Sequence, residues 1–245
     1  MMNQKELEEC EIIILEADGK VSDTNGYGYL IQKRLKEENI QSAKIYLPEN
    51  TERLSTLPLK PTIISGGMTE VTKDIKWINQ SKDFIRETIE INQKSDQKRP
   101  LFGICFGAQL IAESYVSGSV KYLDDPEIGN TKVIIGKKHP LFQGFPQEFQ
   151  GYTFHYNQIV AKKEFNILST NKHMGHHFIQ AFEVPNAFCY GVQFHPEFCY
   201  HEFNTLMRTY QELIIELGLD YNEIIAAIKE IETNAKILVN FAKMD

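Results

Sequence analysis

The chain has no long hydrophobic run and very few cysteines. No apolar stretch approaches the roughly 20 residues that a membrane-spanning helix needs, so we expect no membrane partner. The N-terminal segment is polar and acidic, which is the reverse of a secretory signal. Cys10, Cys105, Cys189 and Cys199 form no Cys-x-x-Cys pair and are too few to crosslink 245 residues. These absences predict reduced thiols and a cytoplasmic location.

Positive charge is also scarce, as are the motifs that bind nucleotides or metals. The chain has 26 Lys and Arg residues and 33 Asp and Glu residues, which give a net charge of −7. It has no basic stripe of the kind that binds nucleic acid, so we expect no nucleic-acid partner. Neither G-x-x-x-x-G-K-[ST] nor G-x-G-x-x-G occurs. Cys189, His195, Cys199 and His201 lie close together, but their spacing fits no common zinc module. We therefore expect no cofactor and no metal.

The first half of the chain alternates between two kinds of hydrophobic pattern. Short apolar runs typical of buried strands occur at 11–16, 43–47, 61–65 and 101–104. Helical spacing occurs at 29–35, 73–93 and 107–116. This alternation predicts an α/β fold, with a mostly parallel sheet flanked by helices.

The second half changes character twice. Between 117 and 192, short strands are predicted at 132–135, 152–155, 158–161, 166–169, 178–183 and 187–192. Turn residues separate them, including a predicted turn at Asp124-Asp125-Pro126. We expect them to add antiparallel strands to one edge of the sheet. Helical spacing returns at 203–217 and 221–242, with a break at 218–220. We predict a single domain over 1–245 with a helical extension over 203–242, which either covers the sheet or forms a dimer or partner surface.

The pentapeptide Gly103-Ile104-Cys105-Phe106-Gly107 lies between a predicted strand and a predicted helix. A nucleophile on a sharp strand-to-helix turn is exposed at the carboxyl edge of the sheet, and flanking glycines avoid clashes there. The helix N-terminus near Phe106 favours a thiolate over a thiol. Cys105 is therefore a candidate nucleophile, and the alternative is a buried cysteine in an ordinary strand-turn-helix.

A histidine and a glutamate follow the predicted strand at 187–192. His195 is placed by the strand end at the same carboxyl edge, where it can accept the thiol proton. Glu197 can orient the imidazole, as a carboxylate does in a nucleophile–base–acid set. The alternative is a surface histidine beside a helix-capping glutamate.

A pair of glycines follows the strand at 61–65. In Ser65-Gly66-Gly67-Met68 they allow a backbone N–H to turn inward, as an oxyanion hole requires. An ordinary glycine turn is the alternative. A nucleotide loop of the S-G-G-x-D-S type is excluded because Thr69 occupies the position of its aspartate.

Three motifs, in this order and with this spacing, closely resemble those of class I glutamine amidotransferases. They are Ser65-Gly66-Gly67, Gly103-Ile104-Cys105-Phe106-Gly107-Ala108-Gln109-Leu110 and Gly191-Val192-Gln193-Phe194-His195-Pro196-Glu197. The resemblance covers about residues 11–200 and is greatest to free-standing members related to the glutaminase domain of GMP synthetase. It implies a flavodoxin-like α/β sheet.

The resemblance also implies roles for individual residues. Cys105, His195 and Glu197 would form a catalytic triad that hydrolyses the side-chain amide of glutamine through a γ-glutamyl thioester. The amides of Gly67 and Phe106 would form the oxyanion hole. Gln109 would contact the substrate, and His155 lies where the family places a substrate-side loop, although the match of 154–157 is loose. Met68 replaces the usual proline and Ala108 a larger residue, so the identity of the substrate is open.

Three functions fit these motifs. The chain is a glutaminase subunit that delivers ammonia to a partner synthase, or a free-standing hydrolase or peptidase acting on γ-glutamyl compounds. The third alternative is a non-catalytic binding module that keeps the fold.

Overall fold

The computed structural model describes residues 4–18, 26–160, 163–173 and 175–244. Nine strands form one mixed sheet in the order β2-β1-β3-β4-β9-β8-β7-β5-β6. The strands are β1 (Ile12–Glu16), β2 (Ser42–Tyr46), β3 (Thr62–Ile64), β4 (Leu101–Ile104), β5 (Val120–Ile135), β6 (Glu148–Ile159), β7 (Asn166–His173), β8 (His176–Val184) and β9 (Cys189–Val192). The α-helices are α1 (Gln4–Glu9), α2 (Tyr27–Glu37), α3 (Lys76–Lys94), α4 (Phe106–Tyr115), α5 (Tyr200–Thr209), α6 (Gln211–Glu216), α7 (Tyr221–Ala227) and α8 (Lys236–Ala242).

Strands β2, β1, β3, β4 and β9 are all parallel and form one half of the sheet. Apart from the edge strand β2, they are buried along their whole length, because helices cover both faces and each strand is a continuous apolar run. The strand order is that of a flavodoxin-like doubly wound sheet. The predicted α/β class is confirmed, and the carboxyl ends of β3, β4 and β9 meet at one edge.

Strands β8, β7, β5 and β6 continue the sheet in antiparallel pairing, as predicted. Two of the predicted boundaries are wrong. Strand β5 runs through Asp124-Asp125-Pro126, where we expected a turn, because the pairing with β6 is interrupted between Tyr122 and Glu127 and this irregularity accommodates the proline. The predicted strands at 152–155 and 158–161 are one strand, β6, and Ala161 lies outside the described residues.

The C-terminal extension is helical only in part. The helix predicted over 221–242 is two helices, α7 and α8, joined by a segment at 228–235 that is not helical. Side chains of the sheet and of the segment hold it against the sheet: Asn130 bonds both backbone groups of Lys229, and the Asn234 amide donates to Gln150 O. These bonds replace the helical ones that the spacing had predicted.

Helix α8 covers one face of the sheet, so part of the extension acts as the predicted cover. Ile237, Leu238 and Phe241 are fully buried, and the Phe241 ring stacks on Phe102 of β4 with the centroids 5.2 Å apart. Within the described ranges, the structure contains no helix with the length and apolar character needed to cross a lipid bilayer.

Candidate active site

Cys105 forms a strained turn between β4 and α4. Its φ is +47° and its ψ −102°, a conformation that costs free energy for a residue with a side chain. The turn brings strand and helix so close that a Cβ on Gly103 would lie 2.3 Å from the carbonyl carbon of Gly107. A Cβ on Gly107 would lie 2.3 Å from the carbonyl oxygen of Ile64. Both glycines are therefore required by packing, as expected for a nucleophile elbow.

His195 follows the strand that pairs with β4. The register aligns Ile104 with Val192, so the residues just beyond these two strand ends are neighbours. The His195 backbone N–H donates to Tyr152 O at 2.8 Å, which fixes the histidine at the edge of the sheet. Cys105 lies close enough to the imidazole to help raise the pKa of His195. The predicted nucleophile and base thus lie within reach of each other.

Glu197 bonds the far side of the same imidazole. Its Oε1 lies 2.8 Å from His195 Nδ1, and both side chains are buried. Among the described residues Oε2 of Glu197 has no hydrogen-bond partner, so the imidazole is the group that compensates the carboxylate charge. Burial opposes the cation, but the charges of Glu197 and Cys105 and their hydrogen bonds outweigh it and raise the pKa of His195 to about 10.

Helix α2 holds the segment that contains His195 and Glu197. The Nε of the buried Arg34 donates to the backbone carbonyl of Glu197 at 2.9 Å, and its guanidinium also pairs with Glu202 of α5. The ring of Tyr27 stacks on the imidazole of His195, with centroids 5.6 Å apart and planes 25° apart. These contacts restrict the rotation of both catalytic candidates.

The loop after β3 lies beside the N-terminus of α4. A Cβ on Gly66 would lie 2.8 Å from Cε1 of His195, and a Cβ on Gly67 would lie 3.5 Å from the Phe106 ring. No described residue accepts a hydrogen bond from the backbone N–H of Gly67 or Phe106. Gly67 therefore lies against the Phe106 ring, and the two amides predicted for the oxyanion hole have no acceptor among the described residues.

A narrow cavity lies above Cys105. Gln109, His155 and the segments 67–69 and 154–157 line it, and its volume of about 20 Å³ suffices for about one water molecule. Met68 and Tyr156 form its roof: the Tyr156 hydroxyl donates to Met68 O at 3.3 Å. Tyr122 stacks on Tyr156, and its hydroxyl donates to Glu70 in the loop after β3. A glutamine side chain enters this cavity only after the roof moves.

The structure places His155 at the cavity but occupies both of its ring nitrogens. Nδ1 lies 2.8 Å from Asn157 O, and Nε2 lies 2.9 Å from Oε2 of the buried Glu127. These bonds hold the backbone of the cavity wall. The predicted contact of His155 with a substrate therefore has no free ring nitrogen to use in this arrangement.

Comparison with known proteins identifies the family. The model of the class-I glutamine amidotransferases matches residues 21–210 of this chain. The chain belongs to that family. A subunit of the glutamine-hydrolysing GMP synthase of Methanocaldococcus jannaschii is 32% identical over 204 residues, which are 81% of this chain and 95% of that protein. The corresponding protein of Methanococcus maripaludis is 28% identical over 198 residues, which are 80% of this chain and 92% of that protein.

A solved structure shows the same fold as this amidotransferase. The crystal structure of a glutamine amidotransferase from Thermotoga maritima superimposes with a TM-score of 0.70, at 16% identity, over 94% of this chain and 95% of the other. The similarity confirms the α/β architecture that the order of elements predicts.

Sequence reasoning missed two supporting residues of the amidotransferase. Asp18 follows β1 at the carboxyl edge, and its Oδ2 accepts a hydrogen bond from the backbone N–H of Met68. Gln193 lies between β9 and His195, and its Nε2 lies 3.5 Å from Cys105 Sγ. The available signal was position, because polar residues directly after parallel strands gather at one edge.

Proposed function

We propose that this amidotransferase hydrolyses the side-chain amide of glutamine through a γ-glutamyl thioester on Cys105 and supplies the ammonia to a partner synthase. The observation that carries the proposal is the buried His195–Glu197 pair, joined at 2.8 Å, beside a cysteine held on a strained strand-to-helix turn. Each group has the partner that its role in nucleophilic catalysis requires.

The first half-reaction makes the thioester. His195 accepts the proton of Cys105, and the sulfur attacks the amide carbon of glutamine, so that the carbonyl oxygen becomes an oxyanion. The N–H groups of Gly67 and Phe106 stabilise that charge. The imidazolium, whose pKa is raised by Glu197 and Cys105, then donates its proton to the departing nitrogen, and the C–N bond breaks to release ammonia.

The second half-reaction restores the thiol. Neutral His195 removes a proton from water, and the oxygen attacks the thioester carbon through a second oxyanion at the same two amides. The C–S bond breaks, glutamate leaves, and the sulfur recovers the proton from His195. Glu197 keeps Nδ1 of His195 as a donor throughout, so Nε2 is the nitrogen that exchanges protons.

Gln109 supplies an acceptor for the substrate. Its Nε2 donates to Asn157 O and to Gln193 Oε1, both at 3.3 Å, so both of its N–H groups are used. Only Oε1 remains for a bound molecule, and it suits the α-ammonium group of glutamine. His155 shapes the wall behind the substrate through its bonds to Glu127 and Asn157.

The relatives favour an ammonia-using partner over a free-standing γ-glutamyl hydrolase. Both archaeal relatives are named as subunits of a glutamine-hydrolysing GMP synthase, and the similarity spans nearly their full length. We therefore propose that the partner of this chain is the synthase subunit of such an enzyme.

The test measures ammonia and glutamate released from glutamine by the purified chain, with and without the synthase subunit. We expect Cys105→Ala to lower turnover by roughly 10⁴-fold or more, because no other group supplies the nucleophile. Cys10→Ala is the matched control, since Cys10 precedes β1 at the opposite edge of the sheet.

Other outcomes would replace the proposal. Release of glutamate from γ-glutamyl peptides but not from glutamine would identify a γ-glutamyl hydrolase. No turnover of either compound, together with a Cys105 that does not react with iodoacetamide, would identify a binding module.

A further inference from the structure

Gln193 is a buried amide in direct contact with the sulfur of Cys105. It is 1% exposed, and its Nε2 lies 3.5 Å from Sγ, within the range of an N–H donor to sulfur. Its backbone N–H donates to Gln180 O at 2.9 Å, which fixes the chain just beyond β9. No step of the proposed reaction uses this side chain.

The neighbours of Gln193 determine which end of its amide faces the sulfur. Asn157 O is a backbone carbonyl and only accepts, so the Gln109 atom 3.3 Å from it is the nitrogen. The same nitrogen lies 3.3 Å from the Gln193 amide, which must therefore present its oxygen to Gln109. The nitrogen of Gln193 is then the atom that faces Sγ, and it carries an N–H for the sulfur.

A buried histidine–carboxylate contact anchors this arrangement at its other end. The ring of His155 joins the cavity wall to Glu127, because Nδ1 lies 2.8 Å from Asn157 O and Nε2 lies 2.9 Å from the Glu127 carboxylate. Glu127 also accepts from Thr131 Oγ1 at 2.6 Å and Gln180 Nε2 at 3.0 Å. Burial opposes the charge of Glu127, yet the bonds from His155 and Thr131 keep the pKa of its carboxyl below the usual value.

We propose that Gln193 is a further catalytic residue that donates a hydrogen bond to the thiolate of Cys105, and that Gln109, His155 and Glu127 are positioning residues that fix its orientation. This inference rests on the proposed function and adds a second stabilising contact at the reacting atom. When His195 removes the thiol proton, negative charge develops on Sγ, and the Nε2–H of Gln193 already points at it.

The contact changes the pH dependence of the thiol in a characteristic way. A hydrogen-bond donor to the thiolate increases the fraction of thiolate at low pH. It also lowers the nucleophilicity of the thiolate, which follows the thiol pKa with a Brønsted coefficient of about 0.4–0.5. Loss of the donor therefore lowers the alkylation rate at low pH and raises it at high pH. A general loosening of the site slows the reaction at every pH.

The experiment compares Gln193→Met with wild type in the rate of Cys105 alkylation by iodoacetamide as a function of pH, with the labelled residue mapped by mass spectrometry. In Gln193→Met we expect the midpoint of the rate-against-pH profile to rise by about one pH unit, the magnitude typical of a lost hydrogen bond to a charged group. The rate below the midpoint falls roughly threefold and the high-pH plateau rises roughly threefold, so the two profiles cross. Gln143→Met, at an exposed glutamine outside the cavity, keeps the wild-type profile.

Two results overturn the inference: a profile identical to wild type, and a rate lowered equally at every pH. If Gln193→Met does not fold, Glu127→Gln gives the same measurement with Gln193 in place, and the crossing is expected there with smaller amplitude. If the pH profile of Glu127→Gln is unchanged, the proposed positioning of Gln193 by Gln109, His155 and Glu127 is overturned. Because alkylation needs no glutamine, a wild-type chain with a reactive Cys105 but no turnover contradicts the proposed function alone.

Discussion

At the scale of single residues, Asp18 controls the loop that carries one of the two proposed oxyanion amides. Its Oδ2 accepts a hydrogen bond from the backbone N–H of Met68. Burial raises the pKa of the Asp18 carboxyl, while the backbone N–H groups of Met68 and Thr69 oppose the rise. By fixing the peptide between Gly67 and Met68, Asp18 restricts the loop that carries the Gly67 amide.

We predict that Asp18→Ala lowers kcat for glutamine by roughly tenfold, less than the 10²–10³ that outright loss of an oxyanion donor costs. KM stays within about twofold, because the oxyanion forms only after substrate binding. Alkylation of Cys105 by iodoacetamide proceeds without an oxyanion and keeps its rate. Asp83→Ala, at an exposed aspartate of α3, is the control. An equal fall in alkylation and turnover would contradict this role.

The sequence predicts that a residue belongs to the site when the residue lies in a recognisable local motif. Cys105, His195 and Glu197 lie in such motifs, and the structure brings all three together. Gln193 lies in the same motif as His195, but its contact with Cys105, 88 positions away, depends on which strands are neighbours. The contact of Asp18 with Met68, 50 positions away, depends on the same information. The sequence signals these two residues only through their position just after parallel strands.

At the scale of elements, β4 and α4 cross in close backbone contact beside Cys105. The Cα of Gly103 faces the backbone of Gly107 at a distance that leaves no room for a methyl group. Backbone cannot rotate away as a side chain can, so any substitution separates the strand from the helix. The turn at Cys105 keeps its conformation because this packing holds it.

We predict that Gly103→Ala destabilises the fold by about 3 kcal/mol, the upper end of the usual cost of overpacking. Gly136→Ala is the matched control, because a Cβ there would lie 3.8 Å from its nearest neighbour, Leu168 O. We expect Gly136→Ala to change the free energy of unfolding by no more than about 0.5 kcal/mol. Urea unfolding of the two variants measures the difference, and similar midpoints would show that the crossing can relax.

Elements with a clear hydrophobic period were predicted well, and those governed by distant hydrogen bonds were not. The parallel strands are continuous apolar runs, and their positions follow from the sequence. Pro126 indicated a turn, yet pairing on both sides of it keeps β5 continuous. The segment 228–235 has helical spacing, but it is not helical and instead bonds to Asn130 and Gln150.

At the scale of the whole molecule, the two halves of the sheet divide the site between them. The parallel half places Cys105, His195 and Glu197 at its carboxyl edge, and strand β6 of the antiparallel half supplies the cavity wall at 154–157. Helix α8 of the C-terminal extension covers one face of the sheet. The order of elements predicts this architecture, whereas the path of the extension does not follow from local sequence patterns.

We predict that Phe241→Ala lowers the free energy of unfolding by about 3–5 kcal/mol, the usual cost of removing a buried phenylalanine. Phe241 is fully buried against Phe102 and Tyr190. Ile215→Ala, at a side chain 55% exposed on α6, is the control, with an expected change within about 0.5 kcal/mol. Unchanged stability of Phe241→Ala with weakened self-association would instead make α8 a dimer surface.

The roof formed by Met68 and Tyr156 has a consequence for how strongly glutamine is held. Because the space beneath it admits about one water molecule, only molecules with the roof displaced can take up an amide side chain. The observed dissociation constant then equals the intrinsic one divided by the displaced fraction. Weak retention of glutamine by the isolated chain would therefore report the rarity of that conformation as well as the quality of the contacts inside it.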